Sequence, residues 1–182
     1  MKLMIASDIH GSAKWCAAML EVWKREAPER LILLGDLLYH GPRNDLPEDY
    51  APKKVIEMLN GIAPHLLCVR GNCEAEVDQM VLSFPVMADY AALLADGHLL
   101  YLTHGHVHSP DSPPPLQPGD FLFFGHTHVP LFSRGEVFTC VNPGSTSIPK
   151  QNTPHSCVLL EDGELRWVDL GSGEVYRRER LW

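Results

Sequence analysis

Met1-Lys2-Leu3-Met4-Ile5-Ala6-Ser7-Asp8-Ile9-His10 decides the fold: a short apolar run leads straight into two metal-binding side chains. The pattern returns four times. Leu31–Leu34 leads to Asp36, Leu66–Val69 to Asn72, Leu99–Leu102 to His104, and Phe121–Phe124 to His126 and His128. Apolar runs of this length ending in a polar group read as buried strands that deliver side chains from their carboxyl ends. In open α/β sheets that edge is where ligands collect. Two carboxylates, four imidazoles and one amide gathered there are costly to bury without compensating cations. The pattern therefore points to a two-metal hydrolytic site.

The totals agree with one compact unit. At 182 residues the expectation is a single domain over residues 1–182, burying roughly 70% of its unfolded surface. Apolar content of 45% and charged content of 21% are ordinary for a globular protein. A formal charge of −8 argues against a broad nucleic-acid or anionic-membrane footprint, which needs clustered Lys and Arg. The cysteines, Cys16, Cys68, Cys73, Cys140 and Cys157, are odd in number and lack C-x-x-C spacing, so they read as reduced thiols. No apolar stretch approaches the length of a membrane span. A cytoplasmic location is the expectation.

Working outward from the first run, Ser12 is placed to cap a helix whose buried stripe is Cys16, Met19, Leu20 and Trp23, ended by Pro28. Pro52 suits the first turn of a second helix that stops at Gly61. Strand, helix, strand, helix, strand predicts a parallel start to the sheet. Asp96-Gly97, Arg134-Gly135 and Asp162-Gly163 then read as hairpin turns, so the second half is expected to be mainly antiparallel. The stretch between His104 and Asp120 carries five prolines and is too stiff for a helix or a central strand. The expected fold is α/β (α+β): two packed mixed β-sheets flanked by helices.

Asp8-x-His10 and His126-x-His128 each put two side chains on one side of an extended backbone, because strand side chains alternate. Either pair alone is weak; recurrence after five apolar runs is what gives them weight. In order, Asp8-Ile9-His10, Gly35-Asp36, Gly71-Asn72-Cys73-Glu74, His104 and Gly125-His126-Thr127-His128 resemble the calcineurin-like metallophosphoesterases. The length, His40-Gly41-Pro42-Arg43-Asn44 and Asn142-Pro143-Gly144-Ser145 resemble its small bacterial YfcE-type phosphodiesterase subgroup.

The resemblance implies a four-layer sandwich and a metal-dependent phosphodiesterase that attacks a small-molecule phosphate ester through a metal-bridging hydroxide. It implies one metal on Asp8, His10 and His128, a bridge through Asp36, and a second metal on Asn72, His104 and His126. Mixed oxygen and imidazole ligands suit two divalent ions, Mn²⁺ first, with Zn²⁺ or Fe as alternatives. The resemblance further suggests a homo-oligomer, although no residue marks its interface. One position departs from the family pattern: Cys73 stands where a histidine commonly protonates the leaving group. A thiol of ordinary pKa is poorly matched to that role.

His40 and Arg43 follow Asp36 on a loop, where Arg43 could grip a phosphate oxygen and His40 could supply the missing acid. Cys73, His40 and Arg43 are thus the candidate catalytic residues. Each has an equally plain reading as a packing or surface residue. His106 is open between a site role and a loop role, and Thr127 and Ser145 are candidates for orienting ligand imidazoles. The alternatives are a phosphomonoesterase (a nucleotidase or protein phosphatase), which the same ions would serve, and a noncatalytic scaffold, which would be expected to lack ligands.

Overall fold

A computed structural model describes all of residues 1–182. The chain runs β1 (Lys2–Ala6), α1 (Ala13–Glu26), β2 (Arg30–Leu33), α2 (Pro52–Asn60), β3 (Leu66–Cys68) and α3 (Glu76–Val81). Eight strands follow: β4 (Tyr90–Ala95), β5 (His98–Thr103), β6 (Phe121–Phe123), β7 (Leu131–Arg134), β8 (Thr139–Asn142), β9 (Ser156–Glu161), β10 (Glu164–Asp169) and β11 (Val175–Arg180). They form one sheet in the order β11-β10-β9-β1-β2-β3 and another in the order β4-β5-β6-β8-β7.

The β1, β2 and β3 runs are apolar throughout because both of their faces are covered. Met4, Ala6, Leu31 and Leu33 face α1 and α2, whereas Leu3, Ile5, Ile32 and Leu34 face the second sheet. The inter-sheet core also takes Phe123, Leu102, Val141 and Trp167. Trp167 is fully buried, and its indole N–H donates to the Asn142 carbonyl at 3.0 Å. That bond pins the first sheet to the end of β8 and satisfies a polar atom that would otherwise be orphaned in the core.

Local signals act as read. Ser12 Oγ accepts from the Trp15 amide at 3.3 Å, and the helix ends at Ala27, φ 47°, ahead of Pro28. Cys16, Met19 and Leu20 are buried, whereas Trp23 only borders the core. Pro52 opens α2 and Gly61 closes it. The short α3 lies outside the sequence expectation; too few turns leave no periodicity to detect.

The three expected hairpins are present, joining β4 to β5, β7 to β8 and β9 to β10. The second half is mainly antiparallel, as expected, but its centre departs from that pattern. Strands β5, β6 and β8 run parallel, because a crossover through the proline-rich segment separates β5 from β6. No helix follows α3. The outer face of the second sheet, with Leu122, Phe124 and Cys140, is covered by Leu116 of the proline-rich segment together with Tyr101 and Phe138. The fourth layer of the sandwich is therefore a stiff loop, since prolines forbid the helix that would otherwise lie there. No helix is long and apolar enough to cross a membrane.

At the carboxyl edge of the first sheet the turns after β2 and β3 press together. Gly35 has φ +94°, and a methyl group there would lie 2.4 Å from the Gly71 amide nitrogen. Gly97, φ +84°, has nothing within 4 Å of the same position. Gly35→Ala combines backbone strain with backbone overlap and is expected to cost more than about 4 kcal/mol, lowering Tm by at least about 10 °C. Gly97→Ala is expected to cost only about 1 kcal/mol, about 3 °C. Equal melting shifts in thermal scans of the two variants would show that the Gly35–Gly71 approach does not constrain the fold.

Candidate metal centre

Every side chain singled out by the five apolar runs reaches one edge, but the backbone route differs from the one expected. Strands β1 and β6 stop at Ala6 and Phe123. Asp8, His10, Asp36, His126 and His128 then adopt left-handed backbone conformations, with φ between 48° and 62°. The extended geometry assumed for Asp8-x-His10 and His126-x-His128 is thus replaced by turns that fold back over the sheet edge. Such conformations in non-glycine residues are uncommon and cluster at functional sites.

The turns build two groups of donor atoms. In one, His128 Nε2 lies 3.2 Å from Asp8 Oδ1 and 3.3 Å from His10 Nε2. His10 Nε2 is also 3.6 Å from Asp8 Oδ1. In the other, His104 Nε2 lies 3.1 Å from Asn72 Oδ1 and 3.3 Å from His126 Nδ1. Asp36 Oδ2 joins them, 3.7 Å from His10 Nε2 and 3.4 Å from His104 Nε2. His126 and His128, two residues apart, therefore point into different groups.

Hydrogen bonds fix which ring atoms face inward. The Nδ1 atoms of His10, His104 and His128 each sit 2.7 Å from a backbone carbonyl, of Tyr39, Leu34 and Ile148 respectively. Donation by Nδ1–H leaves each Nε2 lone pair aimed at the centre. With both Nδ1 atoms committed to carbonyls, the Nε2 lone pairs of His10 and His128 at 3.3 Å repel unless a proton or a metal ion lies between them. Asp8 Oδ1 is buried there with no hydrogen-bond donor. This donor set fits divalent first-row metals.

Electrostatics within the protein alone point the same way. Burial works against ionisation of Asp8, yet the imidazoles of His10 and His128 beside it hold its carboxyl well below the usual range. Burial likewise disfavours a charge on His104, but Asp36 and Asp8 outweigh it and raise the imidazole to about 9. His10 is raised for the same reason, by Asp8 against its own burial. His126 moves down, through burial and the neighbouring His104 charge. Protons on imidazole here stand in for the positive charge the carboxylates require.

A second ring of contacts holds the turns. Glu74 is buried, and its carboxylate accepts from the amides of Leu37 at 2.7 Å, Asp36 at 2.9 Å and Gly71. Burial and the Asp36 charge push its pKa up. Asn142 donates to the Gly125 carbonyl at 2.8 Å and to Thr127 Oγ1 at 3.1 Å. Ser145 and Ser147 hydroxyls both donate to the Asp8 carbonyl, at 3.0 and 3.1 Å. Thr127 and Ser145 thus brace backbone turns rather than orienting imidazoles, the role open to them from sequence; carbonyls do the orienting.

A cavity of about 450 Å³ opens on the centre, lined almost wholly by polar and charged residues, among them Asp36, Asn72, Cys73, Arg43, Asn44 and Lys150. Arg43 and Cys73 both line this cavity. Burial and the Asp36 carboxylate push the Cys73 thiol far up, so it keeps its proton at neutral pH. His40 is not part of the lining; its ring packs edge-on against Tyr39 and Tyr50. His106 is exposed, 5.4 Å from the His104 ring. Sequence reading missed Lys150, Asn44, Ser147 and the role of Glu74. Asn44 and Glu74 carried a signal, the first within His40-Gly41-Pro42-Arg43-Asn44 and the second as the acid closing the Gly71-Asn72-Cys73-Glu74 turn.

Comparison with known proteins agrees with this geometry. The phosphodiesterase YfcE of Escherichia coli K12 is 47% identical over 176 residues, spanning 96% of this chain and 95% of its own. A solved structure of the Escherichia coli YfcE phosphoesterase superposes with a TM-score of 0.97 at 43% identity, each chain fully covered. More distantly, Vps29 of Entamoeba histolytica, solved with zinc, gives a TM-score of 0.67 at 18% identity over the full length of both chains. That distant likeness speaks to the fold alone. The profile of the calcineurin-like phosphoesterase superfamily domain matches residues 1–163, and the chain belongs to that superfamily.

Proposed function

We propose that the protein hydrolyses small-molecule phosphodiesters with the help of two divalent metal ions. The observation that carries this reading is the pair of donor groups joined through Asp36. One ion would be held by Asp8, His10 and His128, the other by Asn72, His104 and His126, with Asp36 serving both. Mn²⁺ is the first choice, with Zn²⁺ or Fe as alternatives, because the set mixes oxygen and imidazole and omits a committed thiolate. Bound there, such ions activate water and neutralise charge on a phosphoryl group. The near full-length likeness to a phosphodiesterase supports the diester as substrate. We also read residues 1–182 as one domain, since both sheets contribute to the core between them.

The chain's own residues then bind and orient. Hydrolysis adds water across one P–O bond and yields a monoester and an alcohol, so negative charge develops on the departing oxygen. Arg43 and Lys150 line the cavity that opens on the centre and favour that charge. Arg43 offers its planar fork to a phosphate oxygen. Cys73 faces the same cavity with its proton retained, but a thiol this weakly acidic delivers it poorly. Substrates with good leaving groups, such as aryl diesters, are therefore favoured.

Metal-stripped protein is expected to leave bis-p-nitrophenyl phosphate intact and to regain turnover with Mn²⁺, while Asp36→Asn lowers that turnover at least about 100-fold. Faster cleavage of the monoester would replace this reading with a phosphomonoesterase; no cleavage with any metal would favour a scaffold. Cys73→His should raise turnover of alkyl diesters about 10-fold and leave p-nitrophenyl release little changed. An unchanged rate on the alkyl diester would remove Cys73 from proton transfer. Glu74→Gln replaces an acceptor of three amides with a group that must also donate. Its expected cost is about 2 kcal/mol, or about 4–8 °C in Tm, with metal affinity about 10-fold weaker. Unchanged metal titrations would restrict Glu74 to folding.

A further inference from the structure

On the far side of His126 and Thr127 lies a second cavity, of about 420 Å³, that the reaction as described does not use. It shares those two residues with the polar cavity, so the two meet at a side chain of the metal centre. Its character is different. Pro110, Phe124, Val129 and Leu131 provide apolar surface, and Asp111 is the only acidic side chain. No lysine or arginine lines it, whereas Arg43 and Lys150 both line the polar cavity.

We infer that this cavity binds the ester arm that stays on phosphorus, and that it selects an uncharged, apolar arm. The inference rests on the diesterase reading and names the substrate class more closely. The two arms of a diester have different needs. The departing oxygen gains negative charge and belongs beside cations and Cys73, which places the leaving arm in the polar cavity. The retained arm gains no charge and needs only surface to cover it. Apolar walls that continue from His126 supply that surface, at about fourfold in affinity for each methylene fully buried. Asp111 discourages an arm carrying a carboxylate or a second phosphate. Leu131 lies at the start of β7 and is partly exposed, so its side chain can be altered without opening the core.

The test uses Mn²⁺-loaded protein and p-nitrophenyl alkyl phosphates that share one leaving group and differ in the retained arm. From methyl to butyl, kcat/KM is expected to rise about 10-fold, less than full burial of three methylenes would give. Leu131→Asp should flatten that rise while leaving the methyl ester's rate within about twofold. Asp111→Asn should raise kcat/KM for an arm ending in carboxylate about fivefold. A binding measurement on protein loaded with diamagnetic Zn²⁺ completes the test: dibutylphosphinate, whose two P–C bonds resist hydrolysis, should shift the methyl resonances of Val129 and Leu131, and dimethylphosphinate should not. Diester cleavage without chain-length dependence, or with Leu131→Asp equal to wild type, would overturn the subsite and leave the diesterase standing. Absence of cleavage for every diester would overturn both.

Discussion

Three imidazole nitrogens and two carboxylate oxygens face one another at 3.2–3.7 Å in a buried space, and the rest of the molecule is arranged to keep them there. Water, which would screen such groups, is largely excluded, so their mutual energies are several times those at a surface. Each lone pair faces another lone pair or an anion. Positive charge has to enter. In the protein alone it enters as protons, which is why His10 and His104 titrate above their ordinary value while Asp8 titrates below its own. Metal ions would take the place of those protons, so metal uptake and protonation compete for the same lone pairs.

Crowding of this kind needs anchors that are not themselves charged. Backbone carbonyls supply three of them, each from a different segment: Leu34 after β2, Tyr39 in the loop beyond, and Ile148 between β8 and β9. Because each carbonyl accepts from the outward nitrogen of one ring, it fixes both tautomer and orientation. Glu74 closes the β2 and β3 turns upon one another, and Asn142 reaches from β8 to the turn carrying His126. Trp167 in turn bonds the Asn142 carbonyl from the first sheet. The position of His126 is thereby linked through two hydrogen bonds to the C-terminal strands, far along the chain.

What could be read from sequence was what periodicity and turn chemistry encode. The five apolar runs are legible because strands buried on both faces leave no polar residue inside them. Ser12, Pro52 and the three turn pairs are legible because their mechanisms are local. The parallel pairing of β5, β6 and β8 was not: nothing in the β5 or β6 residues says that the segment between them crosses over, so hairpins alone were the simpler reading. The site residues were legible as a set, yet the His126 and His128 geometry was misjudged, because alternation applies to strands and these residues lie beyond one. His40 looked like a site residue by its position after Asp36, but aromatic neighbours in the fold, Tyr39 and Tyr50, give its ring another place. Lys150 was invisible for the opposite reason. It reaches the cavity from a segment with no pattern, where its amide bonds the His128 carbonyl.

The left-handed turns explain why such an edge suits this chemistry. A strand that simply continued would carry alternate side chains away from the centre, and only those on one face would remain. Reversal at Asp8, Asp36, His126 and His128 brings side chains back over the strand ends, so that segments about 10 Å apart across a sheet can meet at one centre. Each such residue is strained by about 1–3 kcal/mol, and the strain persists only where bonds over-determine the turn. The amides of Asp8 and His10 bond the carbonyls of Gly35 and Asp36, and Asp8 holds the His126 amide in return. The turns thus restrain one another through the Asp8 segment. Donor atoms held this way cannot relax apart to relieve their repulsion, and that unrelieved repulsion is what gives the centre its affinity for a cation.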